Sequence, residues 1–482
     1  MRAAPESPVR EPLDAVDRAW LEMDVPGNPM VVAGLLELDQ VRSLAGLRRS
    51  LLARLARWPR LRERVDFAAQ PPCWVEDEAL HAGYHLRVVQ LPAEHFEAKL
   101  RAAVGAELAR PLDRALPLWQ IILFPHGRRR VTALFRAHHA LADGIAMLQR
   151  LLELADGHPP PVVPAPPPAA HGPLRRWVRR LEVLNRTLEA AGDTLQRDVE
   201  HPRDGLRDLR AGFEWAAAIA RVLRLPSDRV AALRQRLSGH RAAAWRCGIP
   251  LPPVRAFAHA QGVKLNDVFL CALGGALGHV LRETEPSLDP AQSLRISIPL
   301  DLRADGDGAW GNRFGLVLMD LPVGDPDWES RLATVGARMR ALKHSPEARA
   351  VLLSLGLAGR LPRQFERTLV SFIGAKSAAV VSNLPGPRRR LRMGGARIRE
   401  LVFWPPQSAG IGLGLSLLTY AGRISIGVSV DGAERMDPER LLAAFETELA
   451  QMLAFGKELT QVNAALRAKP KTVAALQPRS TS

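Results

Sequence analysis

The sequence predicts an α/β protein of two domains, and three observations carry that expectation. At 482 residues the chain exceeds what one hydrophobic core ordinarily holds. Both halves mix strand-like and helix-like segments in similar proportion. Between them, after Gly157, runs HPPPVVPAPPPAAHGP. Proline-rich runs extend as polyproline and pack as neither helix nor sheet, so this stretch is a linker. The expected division is 1–156 for a first domain, 157–205 for the linker and a basic helix, 206–468 for a second domain and 469–482 for a disordered tail.

In the first half, Leu13 to Met23 reads as a short helix carrying Trp20, and Met30 to Leu38 as a buried strand ending at Asp39, a plausible cap for the helix that follows. Leu44, Leu47, Leu51 and Leu55 recur at helical spacing opposite an arginine face, until Trp58-Pro59 ends the helix. Tyr84 to Leu91 is a candidate strand and Ala93 to Arg110 an amphipathic helix. Trp119 to Phe124 and Val131 to Arg136 form a hairpin across a polar turn containing Gly127. Past the linker, Leu174 to Leu181 is a basic amphipathic helix with Trp177 on its apolar side, suited to solvent or to a membrane interface.

The second half continues with a helix from Leu251 to Gln261 and another led by Val263 to Ala272. Gly274-Gly275-Ala276-Leu277-Gly278 lacks the strand-then-turn context of a dinucleotide site and reads as close helix packing. Leu294 to Leu300 alternates as a strand ending before Asp301 and Arg303, and Leu316 to Leu321 is a further strand. Between Ile411 and Val430 lies a hairpin with one face of only Gly and Ser, which admits a closely packed helix or a slender ligand. Asp437-Pro438 then caps a final helix, Glu439 to Phe455.

Composition narrows the partners. With 47% hydrophobic and 24% charged residues the chain is globular, and its net charge of +16 comes mostly from arginine. The abundance of Ala, Pro and Gly suggests a GC-rich genome, so only part of that basicity needs a functional cause. Anionic lipid or a phosphate-bearing cofactor fits the remainder. An aromatic content of 5% and the lack of a nucleic-acid motif argue against nucleic acid. Cys73, Cys247 and Cys271 are odd in number and widely spaced, which fits a reducing cytosol and neither a disulfide framework nor a metal motif. The first residues have no signal-peptide core, and no apolar run reaches the roughly 18 to 20 residues needed to span a bilayer. The expected location is therefore cytoplasmic, with peripheral membrane contact.

The chemistry concentrates at Arg136-Ala137-His138-His139-Ala140-Leu141-Ala142-Asp143-Gly144. Strand, loop and helix in succession present a reactive side chain at a rigid sheet edge. Adjacent strand residues face opposite ways, so only one imidazole can face a given cavity. Asp143 sits where a helix N-cap belongs, and Gly144 permits a tight turn. A buried strand end with a capped helix behind it would also account for these residues. Metal hydrolysis fits poorly, because adjacent histidines do not easily converge on one ion.

Three further blocks stand in order along the chain with HHALADG: PLW at Pro117 to Trp119, LNDVFLCA at Leu265 to Ala272, and SNLPGP at Ser382 to Pro387. With the opening LDAVDRAWLEMDVPGNPMVVAGL from Leu13, they resemble the bacterial wax ester synthase/acyl-CoA:diacylglycerol acyltransferase family over nearly the whole length. HHxxxDG alone is shared with chloramphenicol acetyltransferase-like enzymes and peptide-synthetase condensation domains; the ordered set is what specifies the family.

The resemblance implies two chloramphenicol acetyltransferase-like domains around a central channel, and an O-acyltransferase acting on a hydroxyl of diacylglycerol or a long-chain alcohol. Acyl-CoA would be the co-substrate, with no permanently bound cofactor. His139 would be the general base, with a neutral imidazole suited to work near neutral pH. His138 and Asp143 would be scaffold, Asp143 through a salt bridge to Arg303. Asn266 would donate to the oxyanion, Asp267 would be structural and Trp119 core. Ser382 and Asn383 would line the channel or form a plain turn. Arg388 and Arg389, with Arg390 and Arg392, would hold the CoA phosphates, rest on anionic lipid at the inner membrane face or a lipid inclusion, or simply be solvated. Two alternatives remain: a condensation-type acyltransferase with a carrier-bound donor, and a lipid-binding protein without chemistry.

Overall fold

The computed structural model describes residues 11–24, 27–77, 81–157, 237–301, 314–343, 376–407, 410–432 and 436–468. The proline-rich linker, the helix around Trp177, Arg303 and the tail from 469 lie outside the described residues.

The first half begins with β1 (Glu11–Pro12) and α1 (Ala15–Met23), which Asp14 caps by accepting from the Val16 amide. β2 (Val31–Asp39) follows, then α2 (Leu44–Leu55), capped by Ser43 and burying Leu47, Leu51 and Leu55. β3 (Glu63–Asp66) and β4 (Cys73–Glu76) join β1 in a small sheet. The expected strand from Tyr84 is instead a single turn, α3 (Ala82–His85), and a short β5 (Leu86–Val88). The chain turns there because buried His85 stacks on Trp119 at 4.3 Å and bonds the Trp119 carbonyl at 2.8 Å. α4 (Phe96–Ala109), β6 (Trp119–His126), β7 (Arg130–His138) and α5 (Gly144–Glu153) complete this half.

The second half contains β8 (Arg241–Pro250), α6 (Leu251–Ala260), α7 (Leu265–Thr284), β9 (Ser293–Asp301), β10 (Phe314–Pro322) and α8 (Trp328–Lys343). β11 (Ala379–Pro385), β12 (Arg392–Met393), β13 (Ala396–Trp404), β14 (Leu413–Tyr420), β15 (Arg423–Asp431) and α9 (Pro438–Ala468) follow. α7 carries the glycine-rich stretch. A Cβ on Gly274 or Gly278 would lie 2.5 Å or 2.0 Å from the carbonyls of Pro322 and Val323, so those glycines serve close packing. Cys73, Cys247 and Cys271 are free thiols.

Two six-stranded mixed sheets dominate. One runs β12-β13-β2-β7-β6-β5 and the other β10-β9-β11-β14-β15-β8. Chain order therefore does not assign every strand: β12 and β13, from the second half, complete the first sheet. β13 lies antiparallel to β2, with Leu401 opposite Leu36 and Phe403 opposite Gly34. Its Ile398, Leu401 and Phe403 enter the first core, while Val402 and Trp404 join Leu35, Ile122, Ala243 and Trp245 in a cluster between the halves.

The Gly/Ser face of the β14–β15 hairpin is covered by that same strand. The Ser416 hydroxyl donates to the Phe403 carbonyl, and a Cβ on Gly427 would lie 2.5 Å from the same oxygen. Gln407 Nε2 closes the end by donating to the Ser429 carbonyl at 2.7 Å. The close neighbour is a strand, where the sequence pattern admitted a helix or a slender ligand. Backbone-to-sheet contact demands small residues just as strongly, which is why the pattern alone misassigned its neighbour.

Candidate active site

The β6–β7 hairpin turns at Gly127, whose φ of 58° is a left-handed conformation suited to glycine. It delivers the histidines beside the loop from α1 to β2. The His138 amide donates to the Leu118 carbonyl at 2.9 Å, and the His139 amide donates to the Met30 carbonyl at 2.8 Å. Two residues earlier, fully buried Arg136 anchors the strand through Glu107 Oε2 at 2.9 Å and Gln120 Oε1 at 2.8 Å. Burial lowers its pKa to about 10, so it stays cationic at neutral pH.

The two imidazoles take different neighbours. His138, 1% exposed, accepts at Nδ1 from the Ala140 amide at 3.0 Å, and its Nε2 stands 3.6 Å from Asp24 Oδ2. An amide donating into Nδ1 requires the lone pair there, which places the proton on Nε2, facing the carboxylate. Asp24 also accepts from the Met30 amide at 2.9 Å and from Arg114 Nη2 at 3.3 Å. Burial opposes its ionisation, but His138, the Met30 amide and Arg114 outweigh it and hold the carboxyl below its ordinary value. The His139 ring lies flat on Trp20, with centroids 3.9 Å apart and planes 25° from parallel.

Asp143 is the N-cap of α5, accepting at Oδ1 from the amides of Ile145 and Ala146 at 3.1 Å and 3.0 Å. Its expected partner Arg303 is outside the described residues. Gly144 follows the turn at residues 139–141 and has no positive φ. It is small because a Cβ would meet the Phe403 ring at 3.2 Å.

From Phe403 a chain of neighbours leads into the SNLPGP block: its carbonyl accepts from Ser416, and Ser416 pairs in register with Ser382 on parallel β11. Register partners in adjacent strands stand about 4.8 Å apart with side chains on one face, so Ser382 shares the Phe403 side of the sheet. Asn383 takes the other face, where its Nδ2 donates to Asn266 Oδ1 at 3.0 Å. The LNDVFLCA and SNLPGP blocks thus meet at the first turn of α7. Asp267 is a cap there, its Oδ2 accepting from the Lys264 amide at 2.9 Å. Arg388 and Arg389 are exposed beyond β11. Trp119 is fully buried, its indole donating to the Leu61 carbonyl at 2.7 Å.

Asp24 and the Trp20 stack were not identified from sequence. A usable signal exists: residues four apart share a helix face, which in WLEMD puts Trp20 and Asp24 together. Among the described residues, no group of three or more His, Cys, Asp or Glu is arranged to hold a metal, and no helix is long and apolar enough to cross a membrane.

Two adjacent mixed sheets with a histidine pair after a hairpin strand define a chloramphenicol acetyltransferase-like, two-domain acyltransferase fold. Solved structures share it. The wax ester synthase/diacylglycerol acyltransferase from Marinobacter aquaeolei VT8 is 20% identical, with 92% of this chain and 100% of that one covered and a TM-score of 0.64. The starter condensation domain of rhizomide synthetase, in complex with C8-CoA and Leu-SNAC, is 14% identical over 93% and 94%, with a TM-score of 0.57. Family models match residues 13–269, as the wax ester synthase/diacylglycerol acyltransferase catalytic domain, and 310–453, as the WS/DGAT C-terminal domain. The chain belongs to this family and is an acyltransferase. A Mycobacterium tuberculosis protein named "Probable diacyglycerol O-acyltransferase" is 27% identical over 462 residues, 92% of this chain and 96% of that protein.

Proposed function

We propose that the protein moves a long-chain acyl group from acyl-CoA to a hydroxyl of diacylglycerol or a long-chain alcohol, with His139 as general base. The observation that carries this is the division between the two imidazoles. His138 has Nδ1 occupied by the Ala140 amide and Nε2 turned to Asp24, so its lone pair is committed to the loop. His139, placed by its amide on the Met30 carbonyl and by its ring on the Trp20 face, is the second imidazole of the HHxxxDG block, the position to which the family resemblance gives the base.

In the reaction His139 accepts the acceptor hydroxyl proton as that oxygen bonds to the thioester carbon. The tetrahedral oxyanion collapses, the C–S bond breaks, and the imidazolium returns the proton to the departing CoA thiolate. Base catalysis of this kind contributes on the order of 10²–10⁴-fold. Asn266 donates to the oxyanion: because Asn383 occupies its Oδ1, the free end of the amide is the donor Nδ2. Asp143 and Gly144 fasten the loop, and Asp267 caps α7. Ser382 lines the substrate path from the Phe403 side of its sheet, and Arg388 and Arg389 hold the CoA phosphates at the mouth of that path. A lipid-dissolved acceptor requires peripheral contact with a membrane or lipid inclusion. Support for a CoA donor comes from the family and from the C8-CoA held by the rhizomide synthetase domain. The acceptor class rests on the family and on the name of the mycobacterial relative.

The test incubates purified protein with palmitoyl-CoA and either dipalmitoylglycerol or hexadecanol, and follows CoA release and product. His139→Ala should lose turnover while keeping its melting temperature. Retained turnover would remove His139 as the base, and preference for a carrier-bound acyl donor would move the protein to the condensation class.

A further inference from the structure

The loop from α1 to β2 touches both histidines, and a residue of the other half holds that loop from behind. At its ends, Asp24 closes on the Met30 amide and faces His138, while the Met30 carbonyl accepts from the His139 amide. In its middle, Asn28, 4% exposed, accepts at Oδ1 from Arg241 Nη2 at 2.6 Å. Arg241 opens β8, is itself 8% exposed, and donates Nη1 to the Leu108 carbonyl of α4 at 3.2 Å.

The backbones meet at the same place. A Cβ on Gly27 would stand 3.3 Å from the Gly239 α-carbon, and both glycines have left-handed φ, +80° and +76°. On the far side Asp431 fixes this turn by accepting from the amides of Ser238 and Gly239 at 2.6 Å and 3.1 Å. A buried guanidinium is costly to desolvate, and a hydrophobic contact would have joined the halves without one. What the guanidinium adds is direction: a fork that sets Asn28 against the end of α4.

We propose that Arg241 is a positioning residue for the catalytic loop: through Asn28 it holds the chain that leads into Met30, whose amide and carbonyl meet Asp24 and His139, so that the second sheet sets the placement of His138 and His139. This rests on the acyl-transfer reading above.

The experiment measures kcat and KM for palmitoyl-CoA and dipalmitoylglycerol on the full chain, with folding checked by circular dichroism and melting. Arg241→Lys and Asn28→Ala should each lower kcat about tenfold to a hundredfold, the loss of a hydrogen bond to a charged group. KM should stay within about twofold, because no substrate contact is removed. Asn28→Asp, which restores an acceptor oxygen, should recover most of the kcat that Asn28→Ala loses. In an Asp24→Asn background, Arg241→Lys should cost no more than about threefold further, since both act through one loop.

Equal losses in both backgrounds, or kcat within about twofold of the parent for both Arg241→Lys and Asn28→Ala, would overturn the proposal. Should Arg241→Lys fail to fold, Asn28→Ser shortens the acceptor, leaves the guanidinium intact, and carries the same expectation and the same overturning result. If His139→Ala is inactive while these variants keep full kcat, only the Arg241 assignment fails. If His139→Ala retains turnover, it is the base assignment that fails.

Discussion

Replacing Gly144 by alanine tests how the histidine loop is fastened to the strand that crosses between the sheets. Gly144 opens α5 with φ outside the left-handed region, so alanine meets no backbone strain. Its methyl would instead approach the Phe403 ring at 3.2 Å and 3.3 Å. Phe403 is 2% exposed, and its ring also lies 3.7 Å from where a Cβ on Gly34 would stand, so it sits between two glycines with little room to retreat. Two effects oppose each other. Alanine gains up to about 1 kcal/mol over glycine in a helix interior, and less at the first residue. Overpacking a full core costs about 1–3 kcal/mol. Overlaps of a few tenths of an ångström belong near the lower end of that range, so a net loss of about 1 kcal/mol is expected, roughly 2–4 °C in Tm. Phe403→Leu leaves a void beside the loop, and the alanine methyl would partly fill it. The double variant should therefore melt above the sum of the two single losses, and its acyl transfer should exceed that of Gly144→Ala. Differential scanning calorimetry and CoA release measure both. A Gly144→Ala protein as stable as the parent, or strictly additive losses in the double variant, would refute the steric account.

Two carboxylates give pH-dependent predictions of opposite sign. Glu37 stands opposite Glu400 in the β2–β13 pairing, and burial first, then Glu400, pushes its carboxyl above the ordinary value of 4.5. Its contribution is fully present below that value and is lost as pH rises through the higher folded-state value, so Glu37→Gln should raise Tm at about pH 7.5 and leave it unchanged at about pH 4; equal shifts at both would contradict this. Asp24, held below 3.8 by His138, the Met30 amide and Arg114 against the cost of burial, contributes stability above that value and loses it as pH falls through the lower folded-state one. Asp24→Asn should cost about 1.5–3 kcal/mol at neutral pH, with the gap to the parent narrowing below about pH 4 in denaturant titrations; a constant gap would count against the carboxylate.

Local structure was legible wherever a local rule decides it. Asp143 and Asp437 cap helices where the sequence places them, and the β6–β7 and β14–β15 hairpins lie where alternation and turn residues place them; α2 is instead capped by Ser43, because the expected cap, Asp39, is still in β2. The HHxxxDG block was legible as a motif because it is contiguous. What the pattern could not supply was partnership at long range. β13 alternates only at its start and then runs apolar, buried on both faces, and nothing in ARIRELVFW says that it joins β2 rather than β14. The short segment at Tyr84 was misread because one buried contact, His85 on Trp119, outweighs its β propensity.

The same limit explains where the site is incomplete in the motif. HHxxxDG supplies the proposed base and a cap, yet the groups that hold the loop in place are elsewhere: Trp20 on α1 and Asp24 at its C-cap, Phe403 from the crossing strand, and Arg241 reaching through Asn28. Phe403 and Arg241 come from the second half, and they reach the loop from different elements, β13 and β8. A loop anchored from two sides by the second half of the chain keeps its imidazoles in place only while the halves stay docked, and positioning losses of even an ångström are expensive in catalysis. Substitutions that loosen the docking, on Asn28 or Phe403, should therefore lower kcat while leaving every motif residue intact. Motif content alone would then score as active a protein whose base is out of position.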